Sequence, residues 1–228
     1  MTARPTLAAV VLLAMAAATP SQAQTAPDAA KGPRRAWDVA VGVQMITPAS
    51  LGTLDADLTD PAGAPVRLFR TTTDTGLALG LEANIGTSVS RRFDVEFSGA
   101  WTRFDVRSRI SDDFEDVPAI TVSETLTRFS AGGAVLWRFV DRPRTAWFVR
   151  GGVGWMRELS SDASLVEDGL LVDAGVGVKY WLSTNAAGDG RFGLRAEFRV
   201  LNRRQGIEID DGSTRLWPVV AGTAVFRF

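Results

Sequence analysis

The sequence predicts an all-β fold, an eight-stranded antiparallel up-and-down transmembrane β-barrel over residues 36–228. Three observations lead there. From Trp37 onward, apolar residues recur at every second position in about eight windows, which is the period of a strand and not of a helix. The connections between these windows alternate long and short. The opposite face combines glycines with long charged residues of both signs, the composition of a narrow lumen and not of a water-facing sheet.

The first 35 residues stand apart from the barrel. Leu7 to Ala18 is a short apolar run behind Arg4, and Ser21-Gln22-Ala23 fits a small-x-small cleavage site. Residues 1–23 therefore read as a secretory signal peptide, cut after Ala23. A membrane-spanning helix would need about 20 apolar residues, more than this run supplies. Residues 24–35 (QTAPDAAKGPRR) read as a disordered leader.

The strands follow in order. Trp37, Val39, Val41, Val43 and Met45 alternate with Asp38, Ala40, Gly42 and Gln44. Leu77, Leu79, Leu81, Ala83 and Ile85 do so with Glu82, Asn84 and glycines. Phe93 to Trp101 sets Phe, Val and Trp against Asp94, Glu96 and Ser98. Phe129 to Phe139 and Trp147 to Trp155 continue the pattern, with Arg128, Arg138, Arg150 and glycines on the polar side. Val172 to Tyr180 sets valines against Asp173 and Lys179. Phe192 to Val200 sets Phe192, Leu194 and Phe198 against Arg195, Glu197 and Arg199. The last window, Leu216 to Phe228, puts Val220, Gly222, Ala224, Phe226 and Phe228 on one face. Each is long enough to cross a bilayer as a tilted strand of about 9–11 residues.

Short turns are expected at Ser90-Arg91-Arg92, at Asp141-Arg142-Pro143-Arg144 and at 185–190, and long loops at 47–76, 111–118, 160–169 and 205–213. The long first loop carries Leu51, Leu54, Leu58, Leu68 and Phe69 and is expected to extend the first two strands above the membrane. Trp37, Phe93, Trp137, Phe139, Trp147, Tyr180, Phe192, Phe226 and Phe228 lie near short-turn or chain ends and predict one aromatic girdle. Trp101, Trp155 and Trp217 are assigned to the opposite girdle, with Trp217 out of phase in its strand.

A soluble barrel of the lipocalin type would also alternate, with its apolar face inward. Glycine weakens a water-facing strand, whereas inside a narrow barrel small residues make room for paired arginines and carboxylates. The apolar face is therefore placed toward lipid. The ending at Phe226 and Phe228, with the alternating loops and the signal peptide, resembles that of the small eight-stranded outer-membrane β-barrel proteins of the OmpA, OmpX and OmpW kind. That resemblance implies residence in the outer membrane of a Gram-negative bacterium and an assembly signal at Phe226 and Phe228 read by the barrel-assembly machinery. The family pattern places a glycine where this chain has Thr223; Gly222 is one position off.

Composition narrows the chemistry. The net charge of −1 gives no bias toward nucleic acid. The chain has neither cysteine nor histidine, which removes disulfides, thiolate ligands and the commonest general base. Barrel enzymes of the resembled kind use histidine, so no catalytic residue, cofactor or metal is assigned. Glu82, Glu96, Arg128, Arg150, Arg195 and Glu197 are assigned to a charge network that fills the lumen, a reading favoured over an open polar channel. Asp112, Asp113, Glu115 and Asp116, with Asp210 and Asp211, form acidic loops that lack the spacing of a calcium loop and read as solvated tips. Arg91, Arg92, Arg142 and Arg144 either contact anionic headgroups or peptidoglycan or are ordinary polar turns.

The expected role is non-enzymatic: envelope structure or surface interaction through the loops. The alternative is a narrow pore or conduit for small apolar molecules, as in OmpW-like barrels, and a soluble exported ligand-binding barrel comes third. Expected partners are outer-membrane lipid, lipopolysaccharide and the assembly machinery, with the barrel itself a monomer.

Overall fold

The computed structural model describes residues 36–59, 65–112, 118–161, 166–184, 190–204 and 216–228. The signal peptide and leader assigned to residues 1–35 lie outside the described residues, as do Asp113, Glu115, Asp116, Asp210 and Asp211.

Ten strands are described: β1 (Trp37–Ile46), β2 (Ala49–Thr59), β3 (Pro65–Thr75), β4 (Ala78–Ser88), β5 (Phe93–Ser111), β6 (Ile120–Asp141), β7 (Thr145–Ser160), β8 (Val166–Thr184), β9 (Gly190–Arg204) and β10 (Leu216–Arg227). Eight of them, β1, β4, β5, β6, β7, β8, β9 and β10, pair antiparallel in a closed ring. This ring is the eight-stranded barrel that the alternation predicts. The other two strands are the structured first loop. β2 continues β1 past Thr47 and Pro48, and β3 runs into β4 past Gly76 and Leu77, so the pair is a hairpin that lengthens the first two strands. β3 also pairs with the upper part of β5, from Arg70 opposite Ser111 to Thr75 opposite Val106.

Closure occurs between β1 and β10, in register from Asp38 opposite Arg227 to Ile46 opposite Val219. The last residue takes part: the Phe228 amide donates to the Trp37 carbonyl at 2.9 Å. Closing the ring leaves no unpaired edge at membrane depth, as a hydrocarbon environment requires. The seam is tight. A Cβ on Gly42 would stand 2.0 Å from the Gly222 carbonyl oxygen, so only glycine permits β1 to lie this close to β10.

The outward face is apolar through the middle of every ring strand. Phe97 is 67% exposed and Val43 61%, values that would be costly in water and are favourable in lipid. At the short-turn end Trp37, Phe93, Trp137, Phe139, Trp147, Tyr180, Phe226 and Phe228 are exposed on this face. Trp101, Phe129 and Trp155 mark the opposite interface on three adjacent strands, with Trp101 directly opposite Phe129. Trp217 is a correction to the sequence reading: it is 3% exposed and points into the barrel. It shares the inward phase of β10 with Val219, Ala221, Thr223 and Val225, while Leu216 and Val220 face outward.

Candidate functional site

Inward side chains stack in layers along the barrel. At the short-turn end, Arg227 donates to Asp38 across the closing seam at 2.6 and 2.8 Å. Lys179 reaches the same carboxylate at 2.9 Å, and the Arg227 guanidinium lies 4.4 Å from the ring of the buried Trp181. The next layer is apolar, made of Ala134, Leu136 and Phe148. Gly177 is the reason the Phe148 ring fits, since a Cβ there would meet the ring at 2.4 Å.

The central layer holds most of the charged residues picked out from the sequence. Arg195 binds Glu96 through two nitrogens, at 2.5 and 3.0 Å, and donates through Nε to Glu197 at 2.7 Å. Arg150 donates to Glu96 at 3.1 Å and to Asp173 at 2.8 Å. Arg199 binds Glu82, lies within ion-pair distance of Glu197 at 3.7 Å, and donates to the Gln44 side-chain carbonyl at 3.1 Å. Glu96, Arg150, Arg195 and Glu197 thus form one connected, buried network that Arg199 joins to Glu82, and Asp173, Gln44 and Asn84 extend it. Each of these charged groups has an opposite charge within ion-pair distance, which is the condition under which ionised groups persist away from water.

Arg128 does not join that network. It lies nearer the loop end, donating to Glu158 at 2.8 and 2.6 Å. Arg203 meets the same carboxylate at 3.2 Å. Both guanidiniums lie over Trp217, at 4.5 and 5.6 Å, and Arg128 also over Phe104 at 4.8 Å. Glu158 and Arg203 escaped the sequence reading because they sit at strand ends, beyond the windows in which alternation is strict. A closely packed apolar layer of Ile46, Leu51, Ala78, Phe104, Leu126, Trp217 and Val219 lies at this end. Between the two charged layers is a cavity of about 50 Å³ bordered by Gln44, Glu82, Thr102, Arg128, Arg150 and Arg199. That is room for water and far below the several hundred Å³ of a ligand pocket.

Above the Trp101–Phe129–Trp155 level the polarity of the wall inverts. β2, β3, β5 and β6 continue as a four-stranded sheet. On its outward face Arg70 binds Asp55 through two nitrogens at 2.7 and 3.1 Å, and Thr125 donates to Asp105 at 2.8 Å. Hydrogen bonding to Arg70 holds the Asp55 carboxyl below the usual carboxylate range. The inward face carries Leu54, Phe69, Ile110, Ile120 and Val122, on the same side as the buried Phe104, Leu126 and Thr73; of the five, all but the half-buried Ile110 are exposed. A bulge in β2 places Leu54 there. Leu51 is the extra residue between Ser50 and Gly52, and Gly52 takes φ 125°, a conformation open to glycine and strained for other residues. Leu51 then enters the apolar layer of the barrel while Leu54 and Ala56 stay on the inward side.

Asp112 is the one described member of the first acidic loop. It is exposed, has φ 54°, and stands 3.8 Å from Arg70. Among the described residues no cluster of carboxylates has the form of a metal site. Arg91, Arg92, Arg142 and Arg144 are exposed at the short turns.

Lipid-facing apolar residues outside, paired charges inside and a closed antiparallel ring define a transmembrane β-barrel of the bacterial outer-membrane type. No protein-family model and no curated protein sequence matches the chain. Solved structures do. The outer membrane protein OprG from Pseudomonas aeruginosa superposes with a TM-score of 0.52 at 11% identity, over 85% of this chain and 96% of that one. Neisserial surface protein A gives 0.49 at 12%, over 84% and 97%. The outer membrane protease OmpT from Escherichia coli gives 0.40 at 6%, over 87% and 98%. Likeness at such identities extends to the fold and stops there.

Proposed function

We propose that this protein is a non-conducting, non-enzymatic outer-membrane barrel that acts at the cell surface through the sheet formed by β2, β3, β5 and β6. The observation that carries this reading is the inward apolar face of that sheet, Leu54, Phe69, Ile110, Ile120 and Val122, standing above a barrel whose interior is filled. Exposed apolar side chains beyond the membrane have no lipid to face, so they support a contact with another molecule. Buried charges with opposite charges beside them, and apolar layers at both ends, support a closed lumen. The lack of histidine supports a role without general-base catalysis. Phe226 and Phe228, on the lipid face of the closing strand, are proposed as the assembly signal.

The experiment is planar-bilayer conductance of the refolded barrel, paired with adherence of cells that display it. A silent bilayer is expected, with a several-fold drop in adherence for the variant Leu54→Ser/Phe69→Ser/Val122→Ser. Steady discrete openings would overturn the closed lumen, and unchanged adherence would overturn the surface role. One observation favours a second reading, a conduit for small apolar molecules: the apolar face stands on the same side of the sheet as Phe104 and Leu126 of the apolar layer below it, with Val106 between. Barrel-dependent entry of an alkane into liposomes would select that reading.

A further inference from the structure

We propose that the outward face of β5 above Trp101 is a binding site for the phosphorylated glycolipid of the outer leaflet, with Arg103, Arg107 and Arg109 as its cationic contacts. This site lies on the opposite face from the apolar surface described above and does not depend on whether the lumen conducts.

Residues 101, 103, 105, 107 and 109 share one side of β5, and Trp101 fixes that side as the lipid-facing one. With a rise of ~3.3 Å per residue, Arg103 follows Trp101 by about 7 Å along the strand and Arg109 by about 26 Å. At a strand tilt of about 40° this places the three guanidinium-bearing positions from roughly 5 to 20 Å above the aromatic level. That is the zone where lipid phosphates and the first phosphorylated sugars stand, since interfacial aromatics sit at headgroup depth.

All three arginines are exposed, and among the described residues none makes an ion pair. Three other described cations above the aromatic level are occupied. Arg70 and Arg67 are bound to Asp55, and Arg157 is bound to Asp168 through two nitrogens while lying over Trp155. Besides Asp55, which Arg70 and Arg67 occupy, two described carboxylates share the face with the stripe. Asp105 accepts the Thr125 hydroxyl at 2.8 Å, and Asp74 pairs in register with Arg107. Hydroxyls flank the stripe along its length: Thr127, Ser123 and Thr121 of β6 are the register partners of Arg103, Arg107 and Arg109, and Thr72 of β3 also pairs with Arg109. Planar guanidinium forks beside hydroxyl donors match the tetrahedral oxygens of phosphate better than they match any neutral sugar. Leu79, exposed beside Arg103 in register, carries the acyl-facing apolar surface up to the base of the stripe. The stripe therefore meets lipid at its base and charge above it, which is the amphipathic order of a glycolipid and not of a soluble polyanion.

The test titrates rough-type lipopolysaccharide onto the refolded full barrel in detergent and follows the midpoint of its heat-induced mobility change, which rises as ligand binds the folded state. For Arg103→Gln/Arg107→Gln/Arg109→Gln the apparent affinity is expected to fall at least about tenfold. The unaltered protein should show a similar loss toward the same glycolipid after its phosphates are removed, a comparison that needs no variant to fold. Arg142→Gln/Arg144→Gln, at the opposite end of the barrel, should bind as the unaltered protein does. Equal binding by the β5 variant, equal binding of the dephosphorylated glycolipid, or equal loss in the control variant would each overturn the proposal. So would full stabilisation by inositol hexakisphosphate at the same concentration, which would mark a site for soluble polyanions.

Discussion

Truncating Arg195 should separate the cost of a broken lumen network from the value of the network itself. Arg195 is 3% exposed, holds Glu96 and Glu197 together, and lies 5.0 Å from the Phe148 ring. In Arg195→Ala, Glu96 keeps one contact with Arg150 at 3.1 Å, while Glu197 keeps only distant cations at 3.7 and 3.9 Å. Removing one partner of a buried ion pair costs about 3–5 kcal/mol, because the stranded charge keeps its desolvation penalty. With a urea dependence of about 1–3 kcal/mol per molar, the unfolding midpoint should fall by roughly 1–5 M. The companion variant Arg195→Met/Glu96→Gln/Glu197→Gln removes the stranded charges as well. Arg150 then retains Asp173 at 2.8 Å and Arg199 retains Glu82, so most of the loss should return. Urea titration of refolded protein in lipid vesicles, read by the compact and extended bands of an unheated gel, measures both. A triple variant less stable than Arg195→Ala would refute the reasoning, since it would mean that the charges stabilise the barrel by their attraction more than they burden it by their burial.

Three further outcomes are expected. Gly42→Ala places a methyl group against the Gly222 backbone, where no side chain can move aside. It should cost at least about 1–3 kcal/mol and open the β1–β10 seam first, seen as early amide exchange in those two strands. Trp217→Ala removes the ring beneath two guanidiniums and should cost about 3–5 kcal/mol in the same urea assay. Acidification should loosen the β2–β3 hairpin before the barrel. The Asp55 carboxyl is held below its usual range by Arg70, so its contribution is complete above about pH 4, the unfolded value, and is lost as the pH falls through the lower, folded one. Hydrogen exchange of the hairpin amides, compared with an Asp55→Asn chain that should lack this dependence, checks it.

The ring itself was legible because each of its strands separates lipid from a packed interior, and that separation writes a period of two into the sequence. Glu82, Glu96, Arg150, Arg195 and Glu197 could be assigned to the lumen on the same ground. Where both faces of a strand meet water, the period loses its meaning. Residues 103–111 of β5 and 120–127 of β6 therefore read as loop margins, and Leu54 could not be placed on a face until the bulge at Leu51 was known. Phe148 and Leu136 were hidden for a different reason. They are apolar residues pointing inward between apolar residues pointing outward, so no contrast marks them. Trp217 was misassigned to the outer girdle because tryptophan near a strand end suggests an interface, and its partner Arg128 lies some ninety positions away in the chain.

The pairing of β1 with β10 also has a kinetic consequence. Asp38 and Arg227 are joined across nearly the whole length of the folded chain, so the seam closes the longest loop the molecule contains. Loop-closure entropy makes such contacts slow to form compared with neighbouring hairpins. Each hairpin from β4 through β10 can zip against its predecessor locally, whereas the seam waits for both of its strands. Until it forms, two long runs of unpaired amides and carbonyls are exposed at hydrocarbon depth. An open sheet of this kind is the species most prone to pair with another copy of itself, so the folding yield should depend on protein concentration more steeply than the stability of the finished barrel does.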